Sequence, residues 1–298
     1  MAGVPGGDAM SRMLALALTA LLTAGCADTG QDRANVPLFV AGTDVSQPMT
    51  ALLDVPVTID RADLAFGPLY LCAGATAGDL CEVARVEWLG TVVVDLTTAA
   101  PAEAGELTGV TGPVQSWMYD LGISSQLTRS EAYILDAARE LGDTSLVLEG
   151  SAVVDGIPVP FSASVPVLQT EDTELGVPVV RKSSSESFFQ DIDASEAGLL
   201  VRFDVTAWVR GIDFTPSVSR DVCAVDGPDL ICDGTLERTC DADTELSVRD
   251  CADDAEVCIP NQGCRSRWVI EDGSEAFRAL RNALLSGQRP TFTWDAVP

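Results

Sequence analysis

The residues of this chain that could do chemistry are its carboxylates and its cysteines. Among 298 residues there are 45 Asp and Glu, nine Cys and no His. The missing imidazole excludes Ser-His-Asp and Cys-His catalysis, and with them histidine-bearing zinc, non-haem iron and blue-copper sites. It also removes the usual acid–base group for neutral pH. Carboxylate chemistry remains. Two facing Asp or Glu could hydrolyse a glycosidic bond, yet no pair in the sequence has a context that sets it apart. Asp241, Asp243 and Glu245 stand at every second position, a pattern of oxygen ligands that could attract calcium. An EF-hand loop opening at Asp241 would need Gly at its sixth place and Glu at its twelfth, and Leu246 and Ala252 stand there. A solvated acidic loop is the better reading, so no catalytic residue, metal or cofactor is assigned.

The cysteines carry more information. An odd number in an exported protein leaves one unpaired. Cys26 ends an apolar run from Met13, preceded by Arg12 and closed by small residues. The run is too short to span a bilayer and has the layout of a secretory signal. Residues 1–8 lack a basic n-region, which points to Met10 or Met13 as the cellular start. Leu22-Thr23-Ala24-Gly25-Cys26 resembles the lipobox of bacterial lipoproteins, with Thr23 where a large apolar residue usually stands. The resemblance implies cleavage before Cys26 and lipid on that residue. It also implies an extracytoplasmic protein held to a membrane of the bacterial cell envelope. Ala27 is not the acidic retention residue of inner-membrane lipoproteins, which leans the expectation to the outer membrane. Setting Cys26 aside leaves Cys72, Cys81, Cys223, Cys232, Cys240, Cys251, Cys258 and Cys264. Eight cysteines can form four disulfides in an oxidising compartment.

Formal net charge is −27. Such a surface repels nucleic acid and anionic headgroups, because phosphate binding needs Lys and Arg. Solubility explains the charge; attraction to a cation or a basic envelope partner is the sharper alternative. No P-loop or GxGxxG run stands in a strand–helix setting. The hydrophobic share of 47% is that of a globular protein, and no later apolar run is long enough for a membrane helix.

The elements that must position these residues are mostly strands. Residues 56–66 alternate over Val57, Ile59, Ala62 and Leu64, with one slip in phase. Cys72 and Cys81 flank the turn residues 74–79, so a disulfide there would close a small loop between strands. A second extended stretch is expected over 83–96. Asp155-Gly156 between the apolar runs 145–154 and 157–165 is a hairpin signal, and Pro158 and Pro160 suggest an edge strand. Residues 199–214, with Val201, Phe203, Val205 and Ala207 on one face, read as a strand, and 290–294 as the last one. Residues 182–187 are a polar break. Two helices stand out: 132–141 behind the capping box Thr128-x-x-Glu131, and 274–285 with the stripe Ala276, Phe277, Leu280 and Leu284. Trp88, Trp117, Trp208, Trp268 and Trp294 fall in apolar patterns and are assigned to core packing over sugar binding. The expected fold is mainly β, an antiparallel β-sandwich-like domain with two short helices.

Residues 223–264 form a second unit, with six cysteines in 42 residues and few large apolar side chains. It cannot fold on a core alone and reads as a disulfide-rich module. It has no C-x2-C pair, which argues against a zinc ribbon or redox site, and six cysteines allow 15 pairings. Cys232-Asp-Gly234, Cys240-Asp-Ala-Asp243 and the run Cys251 to Cys264 with Gly263 are similar to the short, loosely EGF-like modules of bacterial surface proteins. That similarity implies an interaction or structural element, not a reaction. The expected organisation is a signal over 1–25 and a polar tether over 26–36. A β domain over 37–222 with 265–298 would then carry the module 223–264 as an insertion. The expected function is a membrane-anchored, non-enzymatic binding or structural lipoprotein. A carboxylate-dependent, glycosidase-like hydrolase or a calcium-binding surface protein is the alternative.

Overall fold

The computed structural model describes residues 32–294, apart from 75–80, 82, 122–132, 135–140, 142–143, 167–188, 194–197, 220, 222, 224–226, 242 and 288. The signal run, Cys26 and the polar break 182–187 lie outside the described residues. Two sheets enclose one apolar core. The first has the spatial order Thr291–Trp294, Leu199–Arg202, Arg33–Ala41, Ala102–Val110, Ala84–Trp88, Leu69–Cys72 and Ser116–Tyr119. The second runs Tyr133–Ile134, Gly90–Asp95, Pro56–Phe66, Leu146–Val154, Ile157–Val165 and Trp268–Ile270, with Met49–Thr50 beside Pro56–Phe66. Inward residues of both sheets, such as Leu38, Leu107, Leu64 and Leu148, belong to the same buried cluster. Most neighbours are antiparallel. Three pairs are parallel, however: Arg33–Ala41 with Leu199–Arg202, Gly90–Asp95 with Tyr133–Ile134, and Ile157–Val165 with Trp268–Ile270. The sandwich is therefore mixed, because long connections carry the chain back to a sheet in the same direction.

Alternation sets the register. Val57, Ile59, Ala62 and Leu64 point inward, and the slip in phase is a bulge in which Glu149 faces Arg61 and Gly150 faces Ile59. Asp60 is the extra residue, which bends the strand and restores the buried face beyond it. Asp155 and Gly156 take positive φ of 51° and 82°, as the tight turn between Leu146–Val154 and Ile157–Val165 requires. Pro158 and Pro160 lie on an open edge only in part, since Trp268–Ile270 covers the same strand at Phe161–Ala163.

Two strands change sheets and tie the layers together. Pro56–Phe66 passes through the cis Gly67-Pro68 bond into Leu69–Cys72, and Ala84–Trp88 passes through Leu89 into Gly90–Asp95. Trp88 fills the corner. A Cβ on Gly90 would lie 2.6 Å from its indole, and one on Gly105 equally close to its Nε1. Gly90→Ala is expected to destabilise the fold by about 2 kcal/mol, since an added methyl in a packed site forces neighbours off their rotamers. Urea unfolding checks this, and an unchanged midpoint would show that the indole moves freely.

Three expectations change. The tether does not reach residue 36: Arg33–Ala41 is a strand with Ala34 and Val36 fully buried, so the polar residues Arg33 and Asn35 are its outer face. The strand expected over 199–214 stops at Arg202. There Asp204 accepts from the N–H groups of Thr206 and Ala207 and caps a helix, Val205–Val209. The apolar spacing of Val205, Trp208 and Val209 serves that helix as well as it would serve a strand. Within the helix expected over 132–141, Tyr133–Ile134 is extended and pairs with Gly90 and Thr91. An aromatic and a β-branched residue suit a strand, and most of that segment lies outside the described residues. The expected mainly β, antiparallel sandwich-like fold is the one observed, with three parallel pairs among its strands. The second expected helix is present as Glu275–Asn282, capped by Ser274, with Ala276, Phe277, Leu280 and Leu284 buried.

Candidate functional site

The cysteines are joined in four disulfides: Cys72–Cys81, Cys223–Cys240, Cys232–Cys258 and Cys251–Cys264. Cys72 ends one strand and Cys81 lies before the next, so the first bond closes the loop between antiparallel neighbours. The other three build the module. Leu230–Asp233, Leu236–Asp241 and Thr244–Asp250 form a three-stranded antiparallel sheet, and Val257–Ile259 pairs with Gly263–Arg265. Cys232, Cys251, Cys258 and Cys264 make up a buried cluster of their own, so sulfur takes the place of an aliphatic core. Val257 and Ile259 belong instead to the sandwich core. The module is thereby rooted in the domain that carries it, and Trp268–Ile270 and Thr291–Trp294 return the chain to both main sheets. Disulfides in this number mark an oxidising, extracytoplasmic compartment. Among the described residues no helix is long and apolar enough to cross a membrane.

The acidic candidates lie on the turn between two module strands. Asp241 ends Leu236–Asp241, Asp243 lies in the turn, and Glu245 follows; all three are exposed. They are not gathered round a common centre. Glu245 contacts the Arg238 guanidinium, which also holds Asp233. Among the described residues no group of three or more Cys, Asp or Glu is placed to hold a metal ion. Hydrogen bonds from Arg238 to Glu245 and then to Asp233 raise its pKa above the ordinary arginine value. Arg249 is raised in the same way, chiefly by its hydrogen bond to Asp254, and it also donates to Glu256 at 2.9 Å. Glu237 accepts from the Cys264 N–H at 2.7 Å and ties the sheet to the last hairpin. Asp233, Glu237, Glu245, Asp254 and Glu256 are thus structural partners inside the module.

A second place collects carboxylates that the sequence did not single out. A shallow pocket of about 290 Å³ lies at the sheet-switching corner, lined by Glu87, Trp88, Leu89, Gly90, Ala104, Glu106 and Thr108. Glu87 pairs with Thr108 across the first sheet, and Glu106 follows two positions along on the same face. A diagonal cross-strand pair of this kind sits roughly 7–8 Å apart. Trp88 forms the apolar wall and is 9% exposed. Such a pocket offers two hydrogen-bond acceptors beside an aromatic edge. No local motif could have revealed it, because Glu87 and Glu106 meet only through strand pairing. Of the five tryptophans, Trp117, Trp208, Trp268 and Trp88 are buried and Trp294 is half-buried, which fits core packing.

No family model matches the chain, and no curated protein matches it. A solved structure, MbnP from Methylosinus trichosporium, is similar over 67% of this chain and 86% of that one, at 12% identity and a TM-score of 0.33. A likeness at that level carries no argument about function.

Proposed function

We propose that the chain is a bacterial lipoprotein, anchored through Cys26 on the outside of the cytoplasm. It would act there as a binding or structural component of the cell envelope without catalysing a reaction. One observation carries this reading: eight of the nine cysteines are consumed in four bonds, and Cys26, at the end of the lipobox-like run, is the ninth. The extracytoplasmic compartment follows from the disulfides, and lipid on Cys26 extends it. The outer membrane is the proposed site of the anchor, given Ala27 after the cysteine. The module, cross-linked by three disulfides and exposed along Thr244–Arg249, is the part suited to meet a partner.

Changing Cys26→Ser is expected to abolish incorporation of a radiolabelled fatty acid into the protein, because the lipid is carried on that residue. Immunoprecipitation from labelled cells reads this, and a variant that takes up as much label as the native protein, or a native protein that takes up none, would reject the anchor. The corner pocket gives the hydrolase alternative a concrete location. Glycoside hydrolysis by the purified protein, lost in both Glu87→Gln and Glu106→Gln, would replace the binding reading with a carboxylate mechanism.

A further inference from the structure

We propose that the free edge of the module sheet, Thr244–Asp250, is a docking site for an extended, basic segment of a partner protein, which adds to it as a fourth strand. This names a partner class for the binding role above and does not depend on the lipid anchor.

Among the described residues the strand has a neighbour on one side only, Leu236–Asp241. Along its other side, alternate N–H and C=O groups have no strand to pair with among the described residues. All residues from Thr244 to Arg249 are exposed, and Leu246 and Val248 are 62% and 46% exposed. Soluble proteins blunt such edges with short strands, bulges or charges, since an exposed edge carrying apolar side chains is a template for strand addition. Here the blunting is partial. One register shift, between Thr239 and Cys240, sets Leu246 off as the extra residue, and Ser247 to Asp250 pair regularly beyond it.

The edge is also held ready. Cys240 lies opposite Glu245 and is bonded to Cys223, and Cys251 follows the strand and is bonded to Cys264. A pre-ordered edge spares a ligand the cost of ordering it. Strand addition draws affinity from main-chain hydrogen bonds and selectivity from side chains.

Charge selects the occupant. Between Cys223 and Cys264 there are eleven Asp and Glu against two Arg, a net charge of −9. Both arginines are already spent: Arg238 on Asp233 and Glu245, and Arg249 on Asp254 and Glu256. The field at the edge therefore attracts Lys and Arg. A second copy of this chain is a poor occupant, since it brings the same acidic edge and a net charge of −27.

The test uses the full-length protein in detergent and a fluorescein-labelled peptide of four Lys-Val repeats, with a Glu-Val peptide as control. Anisotropy is expected to show binding of the basic peptide alone, and hydrogen exchange to show slowed amides within 244–250. Leu246→Lys with Val248→Lys, both on exposed side chains, is expected to weaken binding about tenfold or more, while Val269→Lys, at an exposed position of a different strand, leaves it unchanged. Several results would overturn the proposal: no binding, binding without protection in 244–250, equal binding to the double variant, or dimerisation of the free protein through this edge. None of these outcomes bears on the lipid anchor, which the Cys26 experiment reads separately.

Discussion

Replacing Cys232 and Cys258 together with serine is expected to unfold segment 223–264 at temperatures where the native protein is fully folded. The bond joins residues 26 apart, and the chain-entropy relation for a loop of that size gives about 3.5 kcal/mol. The true loss is larger in context. Cys232 and Cys258 are 0% and 2% exposed, and both belong to the cluster of four buried cysteines at the centre of the module. Two buried hydroxyls would stand in place of the bond, without designed partners. Val257 and Ile259 would also loosen from the sandwich core, which couples the module to the domain's stability. The matching change at Cys72 and Cys81 spans nine residues and is expected to cost less, about 2.5 kcal/mol on the same relation. Limited proteolysis with thermal melting checks both. New cuts confined to 223–264 are expected for the first pair, and native-like resistance there would show that the module is held by its hydrogen bonds instead.

Phe203→Ala is expected to cost about 3–5 kcal/mol, the usual loss for deleting a buried ring. Phe203 is 1% exposed, with its ring centroid 5.1 Å from that of Phe66, 6.3 Å from Trp208 and 6.5 Å from Tyr119. Its backbone is fixed as well: its N–H donates to the Ala41 carbonyl at 2.9 Å, and its carbonyl accepts from Thr43 Oγ1 at 3.0 Å. The ring therefore lies where a strand of the first sheet, the sheet-switching strand carrying Phe66 and the capped helix with Trp208 all meet. Such a site cannot collapse to fill the space. Chemical denaturation gives the loss; a value below that for Gly90→Ala would place the core's centre elsewhere.

Some of this was legible in the sequence for physical reasons. The inward set Val57, Ile59, Ala62 and Leu64 states its own bulge, because a slip in a two-residue period can keep one buried face only with an extra residue. Asp155-Gly156 states its turn, because both positions need positive φ. The disulfide-built module is visible in the density of cysteines, since so few large apolar residues leave no other means of folding. Other features depend on contacts between distant strands. The spacing of Cys223 to Cys264 is compatible with 15 pairings, and only the fold selects 223–240, 232–258 and 251–264. Asp204 was hidden because Val201 to Ala207 alternates like a strand until the carboxylate turns the backbone into a helix. The Glu87–Glu106 pocket depends on the register between Ala84–Trp88 and Ala102–Val110, which no local pattern encodes. The acidic triplet Asp241, Asp243 and Glu245 drew notice by spacing alone, whereas in the structure Glu245 is engaged by Arg238.

The most direct measurement is the intact mass of the mature protein extracted from membranes, before and after reduction. Anchorage at Cys26 predicts a chain beginning at that residue with acyl and diacylglycerol mass on it. It also predicts no free thiol before reduction and a gain of eight hydrogens after it, two for each of the four disulfides. A chain without lipid mass, beginning elsewhere or retaining Cys26 as a free thiol, would contradict it.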